Sequence, residues 1–447
     1  MKLDKSICGI FHFLISLLLV VALSSPALAG SVVCRVETDR SILPAGGAQE
    51  VVIKVSLDAP PAPANIQRPR VNLALVIDQS GSMHGTKIKM AKKAALEALS
   101  RLSSQDQFSL VVYDTQVTTL IPARTVGNPN QLIHLIQNIQ AGGNTALFGG
   151  VSQGAAELRK NIEADYVHRL VLLSDGVANV GPSSADDLGR LGRGLFKEKI
   201  SVTTVGVGTD YNEDLMARLS QNSDGNTYFV ESGVDLPRIF AAELGEVLNV
   251  VATDVDLEVT LPPGVEPIDI IGREGRIKDN RVTLSMNQLY GGQEKYALIR
   301  LKLPKTQDNE IRELATAKVA YMDPYARTRQ TSQGQVKTRF SDHQQTVFDS
   351  TNMKVLRAIQ LNLNAQAQER AIEFMDDGQT AKAVETLEKS AKALKQMGTT
   401  YNDPSLMQEA QSTAVKAKAL ENKRMYKKNR KMLRTESYQI QNQQQVK

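Results

Sequence analysis

VNLALVIDQSGSMHGTKIKMAKKAALEALSRL, residues 71–102, reads as strand, tight polar loop and helix in succession. Residues 71–77 are apolar apart from Asn72, as a strand buried on both faces requires. Asp78-Gln79-Ser80-Gly81-Ser82-Met83 then interrupts it, and Ile88, Ala91, Ala95, Leu99 and Leu102 recur at helical spacing. A strand feeding a helix through a short loop is the repeating unit of a parallel sheet. The same alternation continues downstream: strands at 108–113, 169–174, 200–207 and 227–230, with a helix at 131–139 among those between them. Six or so strands with interleaved helices predict a doubly wound α/β domain of about 180 residues, placed at 70–248.

On both sides the period falls to two. Val51, Ile53, Val55 and Leu57 alternate with Val52, Lys54 and Ser56; Val255, Leu257, Val259 and Leu261 alternate with Asp256, Glu258 and Thr260. Residues 281–286, 297–303 and 317–323 continue this strand-like pattern. Period two with one polar face implies antiparallel sheets. Segments 30–69 and 249–345 are expected to form one β-sandwich with the α/β domain inserted in it, two separate β segments being the alternative. Helical periodicity returns after 346. Helices are expected at 353–374 and 380–397, a hairpin region extending to 404 that resembles one tetratricopeptide-like unit. A third helix is expected from 406 to 434 within a basic tail, 405–447, whose Gln-rich end reads as disordered.

Length supports several cores, since 447 residues exceed what one ordinary core organises. The net charge of +5 is unevenly spread. Nine basic residues and one acid lie between Lys416 and Arg434, so the rest of the chain is slightly acidic and nucleic-acid binding by the body is excluded on charge. The tail itself suggests contact with an anionic surface. Lys2 and Lys5, an apolar run over 7–23 and Ala27-Leu28-Ala29 read as a signal peptide over 1–29, cleaved before Gly30. A retained anchor helix is the other reading of the same run. Export to the periplasm, the medium or the cell surface follows, with no later segment apolar enough to span a bilayer. Of two cysteines, Cys8 lies in the leader, leaving Cys34 unpaired and expected in a strand interior.

The chemistry gathers at strand ends. Asp78, Ser80 and Ser82 put three oxygen groups on one loop; Thr145 follows Gly142-Gly143-Asn144 and opens a helix; Asp175 ends the 169–174 strand before Gly176. In such sheets the carboxyl ends of the strands face the ligand crevice. Five oxygen donors without His or Cys suit a hard cation of the Mg²⁺ class rather than zinc.

Asp-x-Ser-x-Ser after a first strand, a Thr in a Gly-rich loop and Ser-Asp-Gly after a later strand resemble the von Willebrand factor type A domain. Residues 204–230 resemble that family's closing third. The resemblance covers about residues 70–248 and implies a complete metal-ion-dependent adhesion site made of Asp78, Ser80, Ser82, Thr145 and Asp175. It further implies Mg²⁺, with Mn²⁺ or Ca²⁺ as substitutes, and a partner protein offering an Asp or Glu carboxylate to the open coordination position. The sandwich next to such a domain resembles the inter-alpha-trypsin inhibitor heavy chains and calcium-activated chloride-channel homologues.

Other readings of the same residues stand beside this one. Asp-x-Ser-x-Ser also suits a strand-end turn and helix cap. Asp78 at the end of a first strand suits a metal-dependent hydrolase or phosphoryl-transfer enzyme, though Ser80 occupies the place of the usual second carboxylate. His84 lies near enough in sequence to be a base but reads as a surface residue. A structural scaffold whose cation only stiffens the fold is the third class. The expectation is a binding protein and not an enzyme.

Overall fold

The computed structural model describes residues 30–162, 165–422 and 426–444; the segment 1–29, expected to be a leader, and the basic pair Lys423-Arg424 lie outside them. Three strands come first: β1 (Val33–Thr38), β2 (Ile42–Pro44) and β3 (Gln49–Asp58). The α/β domain follows as β4 (Arg70–Asp78), α1 (Thr86–Arg101), β5 (Gln107–Tyr113), β6 (Val117–Thr125), α2 (Pro129–Gln137) and α3 (Leu147–Arg159). It continues through β7 (Tyr166–Ser174), α4 (Ala185–Lys197), β8 (Ile200–Val207), α5 (Glu213–Asn222), β9 (Thr227–Val230) and α6 (Leu236–Val247). Seven strands complete the sandwich: β10 (Val250–Thr260), β11 (Glu266–Ile271), β12 (Arg276–Lys278), β13 (Arg281–Tyr290), β14 (Glu294–Leu303), β15 (Ile311–Asp323) and β16 (Thr328–Ser341). The chain then turns helical as α7 (Gln344–Asp349), α8 (Met353–Asp376), α9 (Thr380–Thr400), α10 (Pro404–Ala419) and α11 (Tyr426–Gln441).

The α/β sheet has the order β6-β5-β4-β7-β8-β9, parallel apart from β6. β6 was not among the expected strands. It is a half-exposed edge carrying Pro122, whose missing N–H an edge position tolerates. From β4 the chain steps one way to β5 and β6, then returns to the other side for β7, so a crevice opens beside the carboxyl end of β4. The apolar run is buried on both faces: Leu73, Leu75 and Ile77 pack with Ala91, Ala95 and Leu99 of α1 on one side. Ala74 and Val76 pack with Val151, Ala155 and Leu158 of α3 on the other.

The sandwich is one body with the α/β domain inserted. β1 and β3, which precede that domain, share a four-stranded sheet with β14 and β11, which follow it. Val55 faces Ala297 and Ile53 faces Ile299 across that join. The second sheet runs β12-β13-β10-β15-β16-β2. Cys34 is buried in β1, where burial and the Asp58 carboxylate push its thiol up to about 11.

Two expectations about the tail are corrected. The third helix is not continuous from 406 to 434, because α10 ends at Ala419 and α11 begins at Tyr426. A straight helix would hold Leu420 and Leu433 about 20 Å apart, yet both join Ala371, Ile372 and Leu387 in one core, which requires a reversal. Nor is the Gln-rich end disordered over its described part. Thr227 on the sheet edge donates its N–H to Gln444 Oε1 at 3.0 Å, and its carbonyl accepts from Gln444 Nε2 at 3.1 Å and Gln439 Nε2 at 2.9 Å. One side-chain amide thus bonds a backbone N–H and C=O as a further strand would, covering an otherwise unpaired edge.

The cations of α11 meet acids of this same chain. Arg430 lies 2.6 Å from each of Glu213, Asp214 and Asp376 and is nearly buried; Lys431 pairs with Glu213 and Arg434 with Asp214. Burial alone would raise Asp214, but the bond from Arg430 and the nearby Arg434 hold it below the usual carboxylate range. A lowered carboxyl stabilises the folded state above its unfolded pKa and loses that contribution as pH falls through the folded value. Docking of α11 is therefore expected at neutral pH and weakened in acid. Arg430→Ala leaves three crowded carboxylates without their shared cation, a loss of about 3 kcal/mol. Thermal unfolding should register it, and proteolysis should cleave after 419 sooner than in the unaltered chain.

Candidate metal centre

The loop after β4 is shaped by the backbone before any ligand is considered. Asp78 accepts the Ser80 N–H on Oδ1 at 2.8 Å and the Ser174 hydroxyl on Oδ2 at 2.8 Å. The carboxylate is thereby oriented from its own loop and from the end of β7. Gly81 donates its N–H to the Gly143 carbonyl at 3.0 Å and Gly142 donates to the Gln79 carbonyl at 2.7 Å, tying the 78–83 loop to the 142–146 loop. Gly143 has φ +78°, and a Cβ there would lie 3.0 Å from both Asp114 Cβ and Thr115 Oγ1, so the turn needs glycine. Thr145 is pinned from the third loop, donating its N–H to Asn179 Oδ1 at 2.8 Å.

These loops bring all five expected residues together. Ser80 Oγ lies 3.1 Å from Ser82 Oγ, and Ser82 donates to Asp175 Oδ1 at 2.7 Å. Thr145 is located through Gly176: a Cβ on that glycine would meet Thr145 Oγ1 at 3.0 Å, Ser82 Oγ at 3.4 Å and Ser80 Oγ at 3.8 Å. Three hydroxyls thus surround one cradle that the missing side chain leaves open. Asp78 and Asp175 are fully buried, Ser80 and Thr145 nearly so, while Ser82 and Gly81 face solvent. The cradle is closed from below and reachable from above.

Hard oxygen donors, two buried carboxylates and one open side fit a divalent cation of the Mg²⁺ or Ca²⁺ class. No cluster of three His, Cys, Asp or Glu side chains that could hold a metal occurs among the described residues, so within them the chain builds neither a multi-carboxylate nor a zinc-type cage. Burial pushes the Asp78 carboxyl up to about 6, against the lowering bonds from Ser80 and Ser174, and Asp175 adds to the rise. A bound dication would favour the ionised form.

Lys87, in the first turn of α1, was not singled out from sequence. Its ammonium pairs with Asp175 Oδ2. A cation at a helix N-terminus opposes the helix dipole, and that misplacement was the signal available. Ser174, the second partner of Asp78, and Asn179, the anchor of Thr145, were likewise missed. His84 is exposed, and its ring Nδ1 lies 2.8 Å from the Gly81 carbonyl of its own loop. Lys87→Gln removes a positive charge next to the cation's place, worth roughly 1 kcal/mol at such range in a solvated setting. Titration calorimetry should show Mg²⁺ affinity rising about three- to tenfold.

Comparison with known proteins bears on the fold. The family profile described as the von Willebrand factor type A domain matches residues 72–242. An uncharacterized Synechocystis protein, sll0103, is 27% identical over 268 residues, covering 57% of this chain and 62% of that protein. Rat inter-alpha-trypsin inhibitor heavy chain H3 is 29% identical over 196 residues, covering 42% of this chain and 22% of its own length. The chain therefore spans under two thirds of either relative. Among solved structures, a von Willebrand factor type A protein from Catenulispora acidiphila superposes with a TM-score of 0.69 at 15% identity, over 88% of this chain and 90% of that one. At that identity the likeness is one of fold, and it extends over the sandwich and helices as well as the α/β domain.

Proposed function

Because residues 72–242 of this chain are a von Willebrand factor type A domain, we propose that the protein binds a partner protein through a divalent cation held by Asp78, Ser80, Ser82, Thr145 and Asp175. Domains of this family commonly hold a divalent metal at this place and typically serve metal-dependent protein–protein interaction. The observation that carries the reading is the convergence of three hydroxyls around the Gly176 cradle, open to solvent on one side. Each Asp78 oxygen already accepts one hydrogen bond and keeps a second lone pair, so Asp78 serves the cation directly or through water. An inner shell made mostly of neutral hydroxyls leaves positive character on the ion, and a carboxylate from a partner is the ligand such an ion prefers. Mg²⁺ is the proposed metal.

Export is part of this reading, on the charged, apolar and small-residue order of 1–29. Among the described residues no helix is long and apolar enough to cross a membrane. A hydrolase or phosphoryl-transfer reading gains nothing from the geometry, since Asp78 is fully buried and both oxygens are engaged.

The test is capture from the secreting organism by the full chain in Mg²⁺, in EDTA, and with Thr145→Ala. The expected result is a protein retained only by the unaltered chain in Mg²⁺ and released when one of its own acidic residues is replaced by Ala. Retention unaffected by EDTA would overturn the reading.

A further inference from the structure

A cleft of about 430 Å³ lies where the α/β domain, the sandwich and the C-terminal helices meet. Helix α4 contributes Arg193 and Lys197, the turn into β12 contributes Arg273, β12 itself contributes Arg276, and α11 with its following turn contributes Tyr438 and Asn442. Four cations line it against two acids, Asp224 and Glu274. The imbalance is sharper than the count. Lys197 and Arg276 are exposed and have no ion-pair partner among the described residues, while Asp224 is engaged by the Asn287 N–H at 2.7 Å.

Arg273 is the inner wall. Its side chain is nine-tenths buried; one Nη donates to Asn442 Oδ1 at 2.8 Å and stands 3.9 Å from Asp224, and its Nε–H has no acceptor. A buried guanidinium donor left unbonded is costly, and an oxyanion is the acceptor that a guanidinium prefers. The turn that presents it is rigidly built: Gly272 has φ +78°, and a Cβ there would lie 2.6 Å from Asn362 Oδ1. Phe196 and Leu284 add apolar wall. The volume is that of roughly ten or more waters, far more than a chloride needs.

We propose that this cleft binds a compact organic or inorganic oxyanion carrying two or more negative charges, phosphate or carboxylate, held by Arg273 with Lys197 and Arg276. Such a ligand touches the α/β domain, the sandwich and the tail together, so its binding fastens α11 to the body. The cleft shares no residue with the metal centre.

The experiment is calorimetric titration of the full chain in EDTA with pyrophosphate and with citrate, against chloride at matched ionic strength. Saturable binding with Kd at or below about 1 mM is expected for at least one; pyrophosphate alone identifies phosphate chemistry, citrate alone carboxylate chemistry. The double variant Lys197→Gln/Arg276→Gln alters two exposed side chains and should unfold at the same temperature as the parent while binding at least tenfold more weakly. No saturable binding of either anion beyond the chloride control, or undiminished affinity in the folded double variant, overturns the proposal.

Discussion

Asp78→Asn is expected to abolish Mg²⁺ binding, by about 10³-fold or more, and to make the metal-free protein more stable at pH 7. The two effects share one cause. Asp78 is fully buried, and burial raises its carboxyl from 3.8 to about 6 in the folded, metal-free state. A raised pKa means that stability present below the unfolded value is lost as pH climbs towards the folded one, here between about 4 and 6. A rise of that size corresponds to roughly 3 kcal/mol of penalty above that window. Asparagine removes the charge but must place an amide where two donors point, so the net gain should be about 1–2 kcal/mol. Denaturant melts without metal at pH 5 and pH 7 should converge for Asp78→Asn and diverge for the parent. A variant that is destabilised at pH 7 and still binds Mg²⁺ would refute this assignment of the carboxylate. For the parent, Mg²⁺ affinity should fall as pH drops below about 6, because protons then compete for Asp78.

Gly176→Ala is expected to weaken Mg²⁺ binding about 10- to 100-fold without unfolding the domain. The residue carries no side-chain donor. Its role is the absence of one methyl group: a Cβ would stand 3.0 Å from Thr145 Oγ1 and 3.4 Å from Ser82 Oγ, pushing apart the hydroxyls that share the cradle. The backbone there is not left-handed, so alanine adds contact and no torsional strain. Circular dichroism and Tm should therefore change little while calorimetry shows the lost affinity. Ser82→Ala, which removes one donor and adds no bulk, provides the comparison.

Much of this was legible because strand ends are local. A run such as 71–77 has only one comfortable home in a parallel sheet, and the loop that follows it must lie at the sheet's carboxyl edge. Asp78, Ser80, Ser82, Thr145 and Asp175 all sit on such loops, so topology alone brings them to one crevice. The insertion of the α/β domain was also readable, since β3 and β14 carry matching alternations on either side of it. What escaped were contacts between segments far apart in sequence. Arg169 lies inside the run RLVLLS and is fully buried, yet it reaches Gln288 at 2.6 Å and Tyr290 of the sandwich; no local pattern announces a cation with partners over a hundred residues away. Glu243 and Glu246 join the same buried junction through Asn226, where burial and Glu243 push Glu246 up to about 7. The Gln-rich end misled because amides usually face water, whereas here they complete the edge of β9. Periodicity carried one helix through 406–434, and only the shared core of Leu420 and Leu433 shows why the chain must turn back.

The metal assignment is most directly tested by an anomalous difference map from crystals of the full chain soaked in Mn²⁺. The expected result is one strong peak with Ser80, Ser82 and Thr145 hydroxyls at about 2.0–2.6 Å, absent from Asp78→Asn crystals. A soaked crystal with no peak between these hydroxyls, or with its peak elsewhere on the molecule, would contradict it.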